Sequence, residues 1–245
     1  PHIPSGTIIR TPLRRSMMFT TVHCAMLMSL EKENSISGVA DLKYIKIPWI
    51  QEQVQKGKIA DVGDGLSPVV EKIIDQRPDA IFLSPFENSG GYGKLEEIDI
   101  PLVEGAEYME KTPLGRAEWL RFYGILFGCE QKADSLFEEV DKHYNALKAM
   151  VTQKNRPSVL LDKVTGSVWY VPGGQSTIGQ MIQDAGGDYP WAKDEPSGSV
   201  SLPFEAVLEK AGEADVWLFR YSSDHDITYA ELSAEHHGYD QFSAF

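Results

Sequence analysis

The residues best placed for chemistry are aromatic and charged side chains on loops that follow short apolar runs. In the first half these are Phe86 and Tyr92, and in the second Tyr170, Trp191, Arg220 and Tyr221. Aromatic walls with an arginine suit a large, planar or anionic ligand. In α/β proteins the loops at the carboxyl ends of strands form the binding crevice, so these six are the candidate ligand contacts.

Enzyme signatures fail on inspection. Gly57-Lys58 and Gly93-Lys94 lack the hydroxyl residue of a phosphate-binding loop. Gly174 to Gly179 is one residue too long for a nucleophile elbow, so Ser176 reads as a helix cap. The six histidines show no metal-binding spacing, and His225, between Asp224 and Asp226, has a solvated loop as its plainer reading. No catalytic residue and no metal ligand is nominated. A net charge of −13 argues against nucleic acid. Cys24 and Cys129, far apart and without a CxxC, read as small buried side chains.

The elements that hold these residues alternate between strand and helix. Strands are expected at residues 7–10, 16–20, 36–39, 60–62, 80–83 and 102–103, with helices at 22–30 and 50–56. Ser67 and Pro68 read as cap and first turn of a helix ended by Pro78. Beyond residue 155 the pattern restarts. Strands are expected at 159–161, 168–171 and 216–218, and helices after Ser176 and after Pro203. Both halves carry the same unit: a serine four residues before a glutamate, a proline in the first turn, a helix breaker and then a buried strand. Between the halves, Thr112-Pro113 opens a helix that Gly128 interrupts. A longer helix then runs from about residue 130 to 154, with Ala133, Leu136, Phe137, Val140, Tyr144, Leu147 and Val151 forming one apolar stripe. The expected division is 1–112, a spine at 113–154, and 155–245. The longest apolar stretch, 17–30, is too short to span a bilayer.

Several runs, in this order, resemble one family: Thr20-Thr21-Val22-His23, Ser37-Gly38-Val39, Glu71 through Ile81, Pro113 through Trp119, Ala185-Gly186-Gly187, and Glu205 through Asp215. The chain resembles the substrate-binding proteins of ABC importers for iron–siderophore, haem and cobalamin. The resemblance implies an α/β fold of two Rossmann-like lobes with mostly parallel sheets joined by a long α-helix. It implies a monomer that captures a ferric chelate, haem or cobalamin between the lobes, with no intrinsic cofactor. Glu71 and Glu205 would dock on arginines of the membrane permease, and Arg116 and Glu118 would be structural. The expected location is extracytoplasmic and periplasmic, with any lipid anchor on a segment absent from this chain. Family members usually continue beyond the equivalent of Phe245, so the second lobe is expected to be short. The rival readings are a free transition-metal binder of similar architecture and a cleft enzyme.

Overall fold

The computed structural model describes residues 6–85, 91–151, 156–221, 223 and 225–245. The chain forms two compact units. One comprises residues 1–106 and 118–139, the other 107–117 and 140–245.

The first unit is built on a five-stranded, wholly parallel sheet. Its strands are β1 (Ser16–Met18), β2 (Ile36–Val39), β3 (Ala60–Asp61), β6 (Ala80–Leu83) and β7 (Leu102–Glu104), in the order β3-β2-β1-β6-β7. Both faces of β1, β2 and β6 are buried, as parallel strands covered on two sides require. The covering helices include α1 (Thr21–Ser29), α2 (Pro48–Gln55) and α3 (Val70–Gln76). Thr20 caps α1 by accepting a hydrogen bond from the His23 N–H at 3.2 Å. The strand order reverses between β1 and β6, which opens a crevice at their carboxyl ends.

Two expectations in this unit need correction. Residues 7–10 form no strand: Ile8 is 77% exposed, and Ile9 packs on the core without a strand partner in the sheet. Ser67 and Pro68 do not open a helix. They form β5, paired antiparallel with β4 (Gly63–Asp64), and the extended residue Val69 leads into α3 instead. Val69 supplies no capping side chain, but its carbonyl accepts from the Lys72 and Ile73 N–H groups.

Helices α4 (Pro113–Phe127) and α5 (Glu130–Ala149) have residues in both units. Thr112 caps α4, accepting from the Gly115 N–H at 3.0 Å, and Gly128 ends it in the left-handed region at φ 62°. Within the first unit α4 buries Tyr123, Leu126 and Phe127, and Phe82 stacks on Tyr123 at 5.3 Å. There α5 approaches closely: a Cβ on Gly124 would lie 2.5 Å from the Ala133 Cβ and 3.4 Å from the Glu130 Cα. Gly124→Val should therefore cost roughly 1–3 kcal/mol, visible as a lower urea midpoint.

The long helix is shorter than expected, 20 residues or about 30 Å, and its continuous apolar stripe is not buried. Ala133 is buried and Leu136 packs on the core, but Val140 is exposed and Leu147 is 66% exposed. Polar ties replace apolar packing in its later turns. The Tyr144 hydroxyl donates to Asp184 at 2.8 Å, and Lys148 lies 2.9 Å from the same carboxylate.

The second unit holds a parallel pair, β8 (Val159–Leu161) with β12 (Val216–Leu218). It also holds an antiparallel sheet of β9 (Val164–Thr165), β10 (Val168–Pro172) and β11 (Ser199–Leu202). Helices α6 (Thr177–Asp184) and α7 (Phe204–Ala211) follow strands here, and α8 (Tyr229–Glu235) closes the chain with a 3-10 turn. The core centres on Trp169, which is ringed by Phe204, Trp217, Tyr239 and Phe242. No described helix is long and apolar enough to cross a membrane.

His23 is the buried titratable group with the clearest consequence. Burial holds its imidazole down at about 4, with a hydrogen bond to the backbone of Phe82 opposing the shift. The unfolded chain takes up this proton near 6.5 and the folded chain only near 4. The stabilisation is thus complete above pH 6.5 and is lost as pH falls from 6.5 towards 4, by about 3 kcal/mol in all. His23→Leu should remove that part of the pH slope, measured by urea unfolding at pH 7.5 and 4.5. The Phe82 carbonyl would keep its bond from the Phe19 N–H.

Candidate functional site

The crevice at the reversal between β1 and β6 is occupied by a cavity of about 870 Å³. Phe19 and Thr20 come from the end of β1, Leu83 and Ser84 from the end of β6. The β4–β5 hairpin, the start of α3 and the segment from Gly91 to Leu95 complete it. Parallel strands fix this location, because each strand delivers its next residue to the same edge before the chain turns into a helix. Tyr92 lines the cavity, and its hydroxyl donates to Glu104 at 2.6 Å while its N–H donates to Glu96 at 2.6 Å. Glu71, exposed in the first turn of α3, lines the same cavity.

A second cavity, of about 610 Å³, lies within the second unit. It too sits at strand ends: Leu161 ends β8 and Asp162 follows it, while Leu218 ends β12 and Phe219 and Arg220 follow it. The start of α6 faces it through Ser176, Thr177 and Ile178. Ser176 caps α6, accepting from the Gly179 N–H at 3.0 Å and donating to the Gly173 carbonyl at 2.6 Å. The hydroxyl expected to cap is thus engaged in capping. Arg220 lines this cavity and meets Asp162 at 3.3 and 3.5 Å. Arg116, in the first turns of α4, lines it as well. Nearby Glu107 is 2% exposed, and burial raises its carboxyl above the usual range against the opposing pull of Arg116.

The candidate residues divide accordingly. Tyr92 and Glu71 share the first cavity, and Arg220 lines the second. Phe86 lies outside the described residues. Tyr170 stands in the middle of β10, opposite Ser201 and 47% exposed, so it is on a strand face and not on a loop after one. Trp191 is 2% exposed and packs on Tyr189 at 5.6 Å within the core. Tyr221 lies past β12, with the Lys163 ammonium 5.8 Å from its ring centre, and lines neither cavity. Glu205 is exposed in the first turn of α7.

Arg116, Phe19 and Thr20 were missed as cavity residues. The strand-end rule applied to 16–20 would have found Phe19 and Thr20. Arg116 was hidden by the regular helix pattern around it, which gave it a structural reading. Among the described residues no group of three or more His, Cys, Asp or Glu side chains could hold a metal ion. Both cysteines are free, and burial pushes the Cys24 thiol up to about 12.

Comparison with known proteins adds three findings. The profile of the family described as "Periplasmic binding protein" matches residues 27–244. An uncharacterized lipoprotein of Methanocaldococcus jannaschii is 31% identical over 97% of this chain and 58% of its own length, so the chain spans less than two thirds of that relative. Two solved structures share the fold. One is an ABC-type Fe3+-hydroxamate transport system from Saccharomonospora viridis, with TM-score 0.70 and 20% identity, covering 95% of this chain and 82% of that one. The other is a possible iron-binding (periplasmic solute-binding) protein from Staphylococcus epidermidis, with TM-score 0.69 and 18% identity, covering 96% and 87%.

Proposed function

We propose, from the premise that the chain belongs to the periplasmic binding protein family, that it is the solute-binding component of an ABC importer. It binds its ligand without transforming it, and the ligand is a metal chelate: a ferric siderophore, haem or cobalamin. The observation that carries this reading is the cavity of about 870 Å³ at the strand reversal, walled by Phe19, Leu83 and Tyr92. A cavity of that size, with apolar walls and a few polar groups, suits a compact organic ligand. The iron-related names of the two proteins of like fold support the choice of ligand. Tyr92 contributes an aromatic ring and a hydroxyl to that cavity. Glu71 and Glu205 dock on arginines of the permease, each a carboxylate in a helix's first turn. The protein works outside the cytoplasmic membrane as a monomer, a location supported by the similarity to a lipoprotein.

Thermal unfolding with ferrichrome, ferric citrate, haem and cyanocobalamin tests the reading. One of the four, at a hundred times its Kd, should add about 2.7 kcal/mol of stability and raise Tm accordingly. An unchanged Tm with all four contradicts it.

A further inference from the structure

Leu66 has no part in the packing of the first unit. It is 80% exposed, the most of any large apolar side chain among the described residues, and it joins none of their buried apolar clusters. It nevertheless lines the first cavity, from the turn between β4 and β5. A lone apolar side chain on a surface is ordinary. One held in a fixed turn at the edge of a cavity is a surface that a ligand can cover, and covering it is favourable.

The turn is fixed from behind. Asp41, in the left-handed region at φ 52°, donates its N–H to the Gly63 carbonyl at 2.7 Å, and its carboxylate accepts from the Gly65 N–H at 3.2 Å. Asp61 accepts from the Gly63 N–H at 3.0 Å, and Asp64 accepts from the Leu66 N–H at 2.8 Å. Gly65 is needed for the close approach, because a Cβ there would lie 2.7 Å from the Asp41 Oδ2. The backbone of Leu66 is thus set before a ligand arrives, and little ordering is left for binding to bear.

Charge does not choose the ligand of this cavity. Of the three charged side chains in its lining, Asp41 is committed to the hairpin, and Glu71 and Lys94 are opposite in sign. Much of the remaining lining is apolar. Phe19, Leu83 and Leu95 belong to a buried cluster on which Tyr92 packs, and the bond from the Tyr92 hydroxyl to Glu104 holds that ring in place.

Resting on the solute-binding reading above, we propose that Leu66 is a specificity-determining residue of the first cavity and selects a chelate that presents an apolar face. A porphyrin and an aromatic iron chelate share that chemistry, and the probes separate them. Calorimetric titration of the whole chain would use haem and a ferric tris-catecholate as apolar-faced chelates. Ferric citrate, ferrichrome and cyanocobalamin would serve as solutes covered by carboxylates or amides.

Haem or the tris-catecholate should bind about tenfold tighter than any of the other three, and Leu66→Asn should lower that affinity about tenfold, the loss expected when a covered leucine becomes polar. Leu66→Met, which keeps volume and apolarity, should stay within about threefold of the parent. Both variants should keep the urea midpoint of the unliganded parent, because the side chain is exposed. A lowered midpoint in both would make Leu66 structural and overturn the inference. Chelate affinity unaltered in Leu66→Asn, or tighter binding of any of the three polar-surfaced solutes, would also overturn it and leave the solute-binding reading standing. Binding of none of the five would overturn both.

Discussion

Trp169→Ala should lower stability by about 3–5 kcal/mol, seen as a large fall in the urea midpoint. Trp169 is fully buried, and its ring lies 5.4 to 6.1 Å from those of Phe204, Trp217, Tyr239 and Phe242. Truncation to Ala removes a fully buried indole from the second unit and leaves a void that four stiff aromatic neighbours cannot close. It also removes a hydrogen bond, because the indole N–H donates to the Leu161 carbonyl at 2.9 Å. Leu161 lines the second cavity, and Trp217 similarly donates to the carbonyl of Asp162 at 2.6 Å. The two tryptophans therefore fix the floor of that cavity as well as the core beneath it. Tyr170→Ala is the internal control. The neighbouring side chain points the other way along the pleat, is half exposed, and should cost under about 1 kcal/mol.

Reversing the charge of the two carboxylates proposed to dock on the permease, Glu71→Arg with Glu205→Arg, should abolish uptake in cells that carry the importer. Both side chains are exposed in first turns, so the substitutions disturb no packing. Each would turn an attractive contact with a permease arginine into a repulsive one, and like charges across an interface cost several kcal/mol. The single variants have different diagnostic value. Glu205 lines neither cavity, so Glu205→Arg should lower uptake while ligand affinity stays within about twofold of the parent. Glu71 lines the first cavity, and a large loss of affinity in Glu71→Arg would assign it to ligand binding in place of docking. Uptake assays paired with titration of the purified variants read both outcomes.

Much of the fold was legible because short parallel strands announce themselves as apolar runs between helix signals. Met17-Met18, Ile81-Phe82 and Leu160-Leu161 all lie in strands of the parallel pairings. Thr112, Pro113 and Gly128 mark the bounds of α4 by backbone chemistry that tertiary context does not override. The failures have physical causes. Ser67 and Pro68 looked like the cap and first turn of a helix, yet they lie in β5, because that run pairs with β4 first, whereas Pro203 does stand at the start of α7. No single-segment pattern contains that partner. The stripe on α5 had helical spacing, but spacing does not state what lies opposite, and at Tyr144 the answer is a carboxylate. The final helix, α8, was overlooked although Thr228 and Glu231 form a capping box, with the Thr228 N–H donating to Glu231 at 2.8 Å.

The candidate site was legible by rule and less so by residue. The strand-end rule correctly directs attention to the loops, but it does not distinguish a side chain that faces a cavity from one that turns into the core. Trp191 turned inward because a large ring after α6 had Tyr189 and the second core to bury against. Arg116 was passed over because a charge on a helix usually faces water, whereas the first turns of α4 border the second cavity.

The most direct measurement is the absorption spectrum of the protein purified from its native source without denaturation. A chelate captured in the cell and retained through purification should give about one ligand per chain, with a visible charge-transfer band for a ferric siderophore, a Soret band for haem or a corrinoid spectrum for cobalamin. A colourless protein that also remains colourless after incubation with ferric chelates, haem and cobalamin, then desalting, would contradict the account.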